Sequence, residues 1–446
     1  MLNTALKLIH AIQHYGGEAY LVGGCVRDIV LDTPPHDFDI ATSLHPEEVM
    51  TLFNRLFGDN TIVLPTGLQH GTVTVVIDNV GYEITTYRKE TVYSDNRHPD
   101  QVIFADSIEE DCSRRDFTIN AMYYDGERIV DLYDGQQDIE DKIIRTVGNP
   151  NERFSEDALR MLRAFRFSSK LGFDIAPNVL EAITANKKLI HNISAERIFS
   201  ELSQILVGDG RRNALTQMQQ TGLLKEIIPE LDALYYVKQN NKYHHEDAFN
   251  HSLSVLDACY ARSGADVPLL YAALFHDLGK AVCTQVDDDG TEHFVGHAKY
   301  SGRLANAICL RLKMPNSYTK TIVDLTQNHE CRTSYRRSKA AKFVAETQYM
   351  TDEEYHQLET LWIADAEVHL LLRTDDLMVF INNLEDVLSK PHRISDLSVN
   401  GDDLLAMGYS GEEIGKRLKF LLKMSMTNDT NDKEKLLKMV KQYREV

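Results

Sequence analysis

Paired cysteines are missing from this chain. Its six cysteines, Cys25, Cys112, Cys259, Cys283, Cys309 and Cys331, stand singly with no C-x-x-C spacing. That argues against a disulfide framework and for reduced thiols in the cytoplasm. Long hydrophobic runs are missing as well, and no apolar stretch reaches the length that spans a bilayer, so no membrane partner is expected. The opening residues, MLNTALKLIHAIQHYGG, lack a charged start, a continuous apolar segment and a small-residue cleavage site, and do not read as a secretion signal. No internal repeat or low-complexity tract is evident. Basic charge is in deficit: 48 Lys and Arg against 67 Asp and Glu leave a net charge of −19. Any polynucleotide partner must therefore be held by a local basic strip, not by the overall field of the protein.

What is present is a globular composition, 43% hydrophobic and 26% charged, in 446 residues, enough for two to four domains. Up to about residue 150 short strands and helices mix. AYLVGG reads as a strand ending in a glycine turn, PEEVMTLFNRLF as an amphipathic helix, and TVTVVI with YEITTYR as a hairpin about DNVG. From 151 onward the period is helical and strand-like runs disappear. One helix is expected to open at Ser155 as N-cap, with Glu156 and Asp157 behind it, and to stop at Gly172. The fold class is therefore α+β, a small mixed-sheet head on an elongated all-α body. Its divisions are a head at 1–150, a helical neck at 151–215, a helical body at 216–390 and a helical tail at 391–446. The polar segment 425–435 reads as a loop or linker.

The chemistry begins in LVGGCVRDIVLDTPPHDFDIAT, residues 21–42. Alternation along a strand would turn Asp37 and Asp39 to one side and Phe38 to the core. Two carboxylates so close repel unless a cation sits between them, and hard oxygen ligands of this kind suit Mg²⁺ with substrate phosphates completing its shell. Glu83 on the next hairpin offers a third acid. Upstream, Gly23–Gly24 runs into a helix N-terminus, which favours a phosphate, and Arg27 one turn in can add a charge-assisted contact. Taken singly, a D-x-D pair is as readily a solvated edge and a glycine pair a plain turn. Their order along the chain makes the combination specific for phosphoryl or nucleotidyl transfer.

Further segments extend the pattern: RRDFTINAM at 114–122, DLYDGQQDIEDKIIRTVG at 131–148, EDALRMLRAFRF at 156–167 and SAERIFSEL at 194–202. With LVGGCVRD and HDFDIAT they resemble, in order, the class II tRNA nucleotidyltransferases and bacterial poly(A) polymerases of the polymerase-β-like superfamily. The resemblance covers the first half of the chain. It implies that Asp37 and Asp39 are the metal-binding catalytic carboxylates and that Gly24 and Arg27 contact the triphosphate. It implies that Arg115 and Asp116 contact the nucleotide, with Asn120 supporting them, although the same pair reads equally as a buried salt bridge. In the helix after 155, Glu156 and Arg160 suit an ordinary i,i+4 bridge. The resemblance instead makes Asp157 and Arg160 readers of the Watson–Crick edge of CTP or ATP, with Arg163 and Arg166 reaching phosphates. The implied activity is template-independent addition of the 3′-terminal CCA to tRNA from CTP and ATP. An A-only adder or poly(A) polymerase is the alternative. The long polar stretch 88–111 resembles the flexible segment of A-adding members and argues against CC-only addition.

The second half carries His251, the pair His276–Asp277, His297 and Asp365, an order that resembles the HD superfamily of metal-dependent phosphohydrolases. Imidazoles with a shared carboxylate suit a second divalent ion, a transition metal, better than Mg²⁺. A rival function follows: an HD-type metal phosphohydrolase with an RNA-docking head. Basic clusters at 153–170, 331–342 and 415–423 are the candidate tracks for a tRNA backbone, which A-form RNA presents for recognition by shape. Oligomeric state is left open by the sequence.

Overall fold

The computed structural model describes residues 1–446 apart from 58–61, 66, 91–101, 240–245, 331–335, 370–373 and 442–446. The chain forms two compact units, Met1–Pro229 and Glu230–Val446, and the boundaries expected at 150, 215 and 390 fall inside them.

In the first unit, helix α1 (Leu2–Tyr15) buries Ala5, Leu8, Ile9 and Ile12 on one face and ends where Gly16 turns left-handed at φ 107°. Strand β1 (Ala19–Val22) leads into helix α2 (Gly24–Val30) through a corner at Gly23, φ 76°. Strand β2 (Asp39–Thr42), helix α3 (Pro46–Phe57), and strands β3 (Ile62–Leu64), β4 (Thr72–Ile77) and β5 (Val80–Thr86) follow. Asp78 and Asn79 join β4 to β5 with φ of 51° and 61°, the backbone that tight hairpin turns require. Strands β6 (Arg88–Glu90) and β7 (Val102–Phe104) pair as a separate ribbon before helix α4 (Ile108–Ser113). This ribbon and helix occupy the ends of the polar stretch 88–111, whose residues 91–101 lie outside the described ones. Strands β8 (Met122–Tyr124) and β9 (Ile129–Asp131) complete a seven-stranded sheet of order β3-β4-β5-β2-β1-β8-β9.

Two registers place the site. The antiparallel pairing of β1 with β2 sets Val22, the last residue before the glycine corner, against Asp39. The parallel pairing of β2 with β5 sets Asp39 against Glu83. Phe38 is buried while Asp37 and Asp39 are exposed, the expected alternation, although the strand proper begins only at Asp39. Tyr87, Ala121, Tyr123 and Val147 pack behind Val22 and Ala41 and hold these central strands in place.

After helix α5 (Gly135–Glu140) and strand β10 (Ile143–Ile144), the neck departs from expectation. The helix expected to open at Ser155 is two helices, α6 (Pro150–Glu156) and α7 (Leu159–Leu171). Asn149–Pro150 is the stronger start: the Asn149 side chain accepts the Asn151 N–H at 3.0 Å and proline takes the first turn. Ser155 instead donates back to the Asn151 carbonyl at 2.8 Å. Asp157 is extended at φ −137°, and Gly172 closes α7 as expected. Strand pairing also persists beyond 151, in β11 (Asp174–Ile175) against β10 and in Gln285–Val286 against Glu292–His293. These pairs are only two residues long, too short to show alternation. Helices α8 (Pro177–Asn186) and α9 (Ala195–Val207) complete the neck.

The second unit is helical. Ala248–Ser263, Val267–Phe275, His297–Arg311, Asn316–Asn328 and Asp352–Val368 surround its core, and Arg337–Thr347, Thr374–Leu388, Glu412–Asn428 and Lys433–Val440 follow. The segment expected as a linker at 425–435 is mostly helix, with only residues 429–432 between the last two elements. Among the described residues no helix is long and apolar enough to cross a membrane.

Candidate functional site

A cavity of about 440 Å³ opens in the first unit beside the glycine corner. Gly23, Gly24 and Arg27 of the β1–α2 turn and Asp39 of β2 form one side; Arg115, Asp116 and Asn120 form another. Asp157, Arg160, Arg163 and Arg166 come from the neck. Eight cationic side chains against three acidic ones line it, the local basic strip that a chain of net charge −19 needs to hold an anion.

The arginines are aimed by their partners. Arg27 is buried, donates to Asn120 Oδ1 at 2.8 Å and pairs with Asp28 at 2.7 Å. Asp111, buried on α4, accepts from Arg114 at 2.6 Å, from Arg115 at 3.0 Å and from the Tyr123 hydroxyl at 2.6 Å. Burial alone would push this carboxyl up, but Arg114 and Arg115 hold it well below the usual range. Asp111→Ala is expected to destabilise the fold by about 3–5 kcal/mol, the cost of leaving buried charges unpaired. Urea unfolding at pH 7 measures this. Because the folded carboxyl is held low, the stabilisation is present above pH 4 and fades as pH falls below it.

Asp39 is perturbed in the opposite direction. Desolvation in the cleft raises its carboxyl to about 6, Glu83 and Asp37 add to the rise, and Arg115 opposes it. Glu83 and Asp37 act on Asp39 by charge, but among the described residues the three carboxylates do not close into a cluster with metal-ligand spacing. Asp116 closes on the neck, with its Oδ2 2.5 Å from Arg163 and its Oδ1 taking the Phe117 N–H at 2.8 Å. Asp157 accepts the Leu159 N–H at 3.0 Å and Arg197 at 2.9 Å. Arg160 pairs with Glu156 and donates to the Arg114 carbonyl at 3.0 Å. Arg166 ion-pairs with Glu201 at 3.0 Å.

The second unit holds a separate buried cluster. His251 Nε2 lies 3.0 Å from Asp365 Oδ1, His276 Nε2 3.2 Å from Asp277 Oδ2, and His297 Nε2 3.2 Å from Asp277 Oδ1. His329 Nε2 is 3.1 Å from His297 Nε2. The Nδ1 atoms of His276, His297 and His329 each face a backbone carbonyl three residues earlier, at 2.7–2.8 Å. Nδ1–H donation to these carbonyls is the arrangement of metal-bound histidines, in which Nε2 is the ligand atom. Asp277 Oδ2 is met by the Lys280 ammonium at 2.6 Å as well as by His276 Nε2 at 3.2 Å and His251 Nε2 at 3.6 Å. Burial, with His276 and His297 beside it, lowers His329 to about 3, so that ring is neutral at physiological pH. These donors fit one or two transition ions sharing Asp277.

Residues 19–145 match the poly A polymerase head domain, and residues 172–235 match a probable RNA- and SrmB-binding site of polymerase A. The CCA-adding enzyme of Levilactobacillus brevis is 47% identical over 221 residues, 49% of this chain and 54% of that protein. That of Ligilactobacillus salivarius is 46% identical over 222 residues, 50% of this chain and 53% of that protein. The chain thus spans about half the length of the curated relatives it matches. Among solved structures, the Bacillus stearothermophilus CCA-adding enzyme in complex with CTP matches with a TM-score of 0.70 and 28% identity, over 99% of this chain and 98% of that one. The Thermotoga maritima CCA-adding enzyme complexed with tRNA shares the fold, with a TM-score of 0.63 at 20% identity over 99% and 95% of the two chains.

In the first unit the cavity gathers Gly24, Arg27, Asp39, Arg115, Asp116, Asn120, Asp157, Arg160, Arg163 and Arg166, while Asp37 and Glu83 are not among its lining residues. Asp157 and Arg160 do not share a helix: Asp157 lies at the break between α6 and α7, and its carboxylate turns to Arg197. Sequence reasoning did not single out Arg114, Phe167 or Arg197 as cavity residues; only Lys170 stood in a basic cluster. In the second unit it missed His329 and His369, although His369 follows Asp365 at i,i+4 spacing on one helix face. Of the basic clusters, 331–335 lies outside the described residues. Arg337 is paired with Asp386 at 2.7 Å and Arg417 with Glu413 at 2.6 Å.

Proposed function

We propose that this protein is a template-independent tRNA nucleotidyltransferase that builds the 3′-terminal CCA from CTP and ATP. The observation that carries this reading is the cation-lined cavity running from the glycine corner to Asp39. An anion of triphosphate size fits the Gly23–Gly24 turn, Arg27 and Arg115, with its α-phosphate toward Asp39. Asp37, Asp39 and Glu83 would hold Mg²⁺, which supplies a lowered hydroxyl pKa and charge neutralisation for the departing pyrophosphate. The RNA 3′-hydroxyl attacks the α-phosphorus in line, and Arg27 and Arg115 take up the charge that develops on the leaving phosphates.

Base choice falls to Asp157 and Arg160. An acceptor beside a guanidinium donor suits the N4, N3 and O2 atoms of cytosine and the N6 and N1 atoms of adenine, and mismatches guanine and uracil. Both side chains are occupied by Arg197 and Glu156, so nucleotide entry exchanges protein partners for base edges. The names of the lactobacillus relatives support CCA addition over poly(A) synthesis.

The decisive experiment supplies Mg²⁺ and each labelled nucleotide to tRNAs ending before C74, after C75, and complete. Incorporation of CTP then ATP that stops at CCA is expected. ATP incorporation on the CC-ended RNA alone would make this an A-adder, and long A tails on unrelated RNA a poly(A) polymerase.

A second reading applies to the other unit. Inward-facing Nε2 atoms at His276, His297 and His329 around Asp277 support a metal-dependent phosphohydrolase centre of the HD kind. Its test is release of phosphate from a phosphomonoester by the Asp39→Asn protein supplied with Co²⁺ or Ni²⁺.

A further inference from the structure

One carboxylate oxygen in the second unit gathers three imidazole nitrogens around it. Asp365 Oδ1 has His251 Nε2 at 3.0 Å, His369 Nε2 at 3.3 Å and His276 Nε2 at 3.8 Å. With its Nδ1 toward the Ala273 carbonyl, His276 turns its Nε2 toward both Asp277 Oδ2, at 3.2 Å, and Asp365 Oδ1. Imidazole nitrogens and carboxylate oxygens gathered this closely form a donor set that a divalent cation satisfies. His276 is 0% exposed, Asp277 1% and His251 2%, so these donors are closed off from bulk water.

The spacing has a simple reading. Metal–nitrogen bonds of about 2.0–2.1 Å place neighbouring ligand atoms about 3.0–3.4 Å apart. The separations of His251 and His369 from Asp365, and of His276 from Asp277, fall in that range. His369 belongs to the same set by construction: it caps the helix Asp352–Val368 four residues after Asp365, and its ring centre lies 5.0 Å from that of His251.

We propose that His369 is a metal ligand, a third imidazole that makes the two metal positions around Asp277 unequal. This rests on the metal-centre reading of the second unit. The first position takes His251, His276 and His369 with Asp277 Oδ2 and Asp365 Oδ1. The second takes Asp277 Oδ1, His297 and His329. An imidazole-rich position selects a late first-row ion such as Co²⁺, Ni²⁺ or Zn²⁺ and holds it tightly; the second, with fewer protein ligands, exchanges its ion and keeps room for a substrate oxygen. The Lys280 ammonium, 2.6 Å from Asp277 Oδ2 and 2.6 Å from Gln239 Oε1, then balances the carboxylate until the first ion displaces it.

The test titrates Co²⁺ into the EDTA-treated full chain, followed by visible d–d absorption and by metal content after gel filtration, with melting curves to confirm folding. The expected result is two ions per chain of different affinity. His369→Ala should weaken the tighter one at least tenfold and shift its absorption band while leaving the weaker one in place. His369→Glu, which restores a ligand atom, should recover part of the affinity. An unchanged affinity and band in the folded His369→Ala chain would overturn the proposal and leave His369 as a hydrogen-bond partner of Asp365. Wild-type protein that binds no Co²⁺, or an Asp277→Ala chain that binds it like wild type, would instead overturn the metal-centre reading itself.

Discussion

Replacing Asp39 with Asn is expected to abolish nucleotide incorporation while making the metal-free chain harder to melt at pH 7. The two effects have one cause. Asp39 stands opposite Glu83 across the parallel β2–β5 pair and close enough to Asp37 to feel its charge, and its carboxyl is raised to about 6. An acid raised in the folded state binds its proton more tightly there than in the unfolded chain. Ionising it therefore weighs against the fold as pH climbs from about 4 through 6. For a fully buried carboxylate this displacement would amount to about 3 kcal/mol; solvent screening at the exposed Asp39 reduces it to about 1 kcal/mol or less. The gain in melting temperature should appear above pH 6 and vanish below pH 4. A bound divalent cation reverses the balance, because the same repulsion becomes ligand field. Losing one of its carboxylates removes several kcal/mol of charge stabilisation, about 10³-fold or more in rate. Incorporation that survives in Asp39→Asn would remove Asp39 from the reaction. An unchanged melting temperature at pH 7 would mean that the three carboxylates do not crowd one another.

The head was legible because its signals are local and repeat a known order. The glycine corner, the alternation at Asp37–Phe38–Asp39 and the hairpin about Asp78–Asn79 each follow from the conformational limits of a few adjacent residues. Partner choice was not legible. Nothing in EDALR distinguishes an Asp157 turned to Arg160 from one turned to Arg197, forty residues later on α9. That depends on where one helix stops and the next starts, and a strong start at Asn149–Pro150 outweighed a plausible one at Ser155. Asp111 was invisible for a similar reason: it lies in an ordinary acidic stretch, and only the fold brings Arg114, Arg115 and Tyr123 onto it. In the second unit, adjacent His276–Asp277 stood out in sequence, and the fold gathers His251, His297 and His329 around them. His329 comes from the far end of another helix, where a single histidine in sequence carries no metal signal.

Gly279 carries the other large expected effect, and it does so without bearing any ligand. It sits two residues after Asp277, donating its N–H to Ser301 Oγ at 2.8 Å. A β-carbon there would lie 2.2 Å from the His297 carbonyl oxygen and 2.9 Å from the Ser301 nitrogen, both backbone atoms at the start of the helix His297–Arg311. A flexible side chain could swing aside; a helix backbone cannot, so Gly279→Ala must push the first turn of that helix away from the His276–Asp277 turn. His297 rides on that turn, and its Nε2 lies only 3.2 Å from Asp277 Oδ1. Overpacking of this kind is expected to destabilise the chain by about 3 kcal/mol or more and to remove the metal position shared by Asp277, His297 and His329. Gly296 supplies the control. It is left-handed at φ 79° with nothing within 4 Å of its would-be β-carbon. Gly296→Ala should therefore lose only about 1–2 kcal/mol to backbone strain and keep both Co²⁺ equivalents. Chemical denaturation and Co²⁺ stoichiometry on the two variants separate the cases. Equal losses in both would mean that the close approach of Gly279 to His297 does not set the geometry of the cluster.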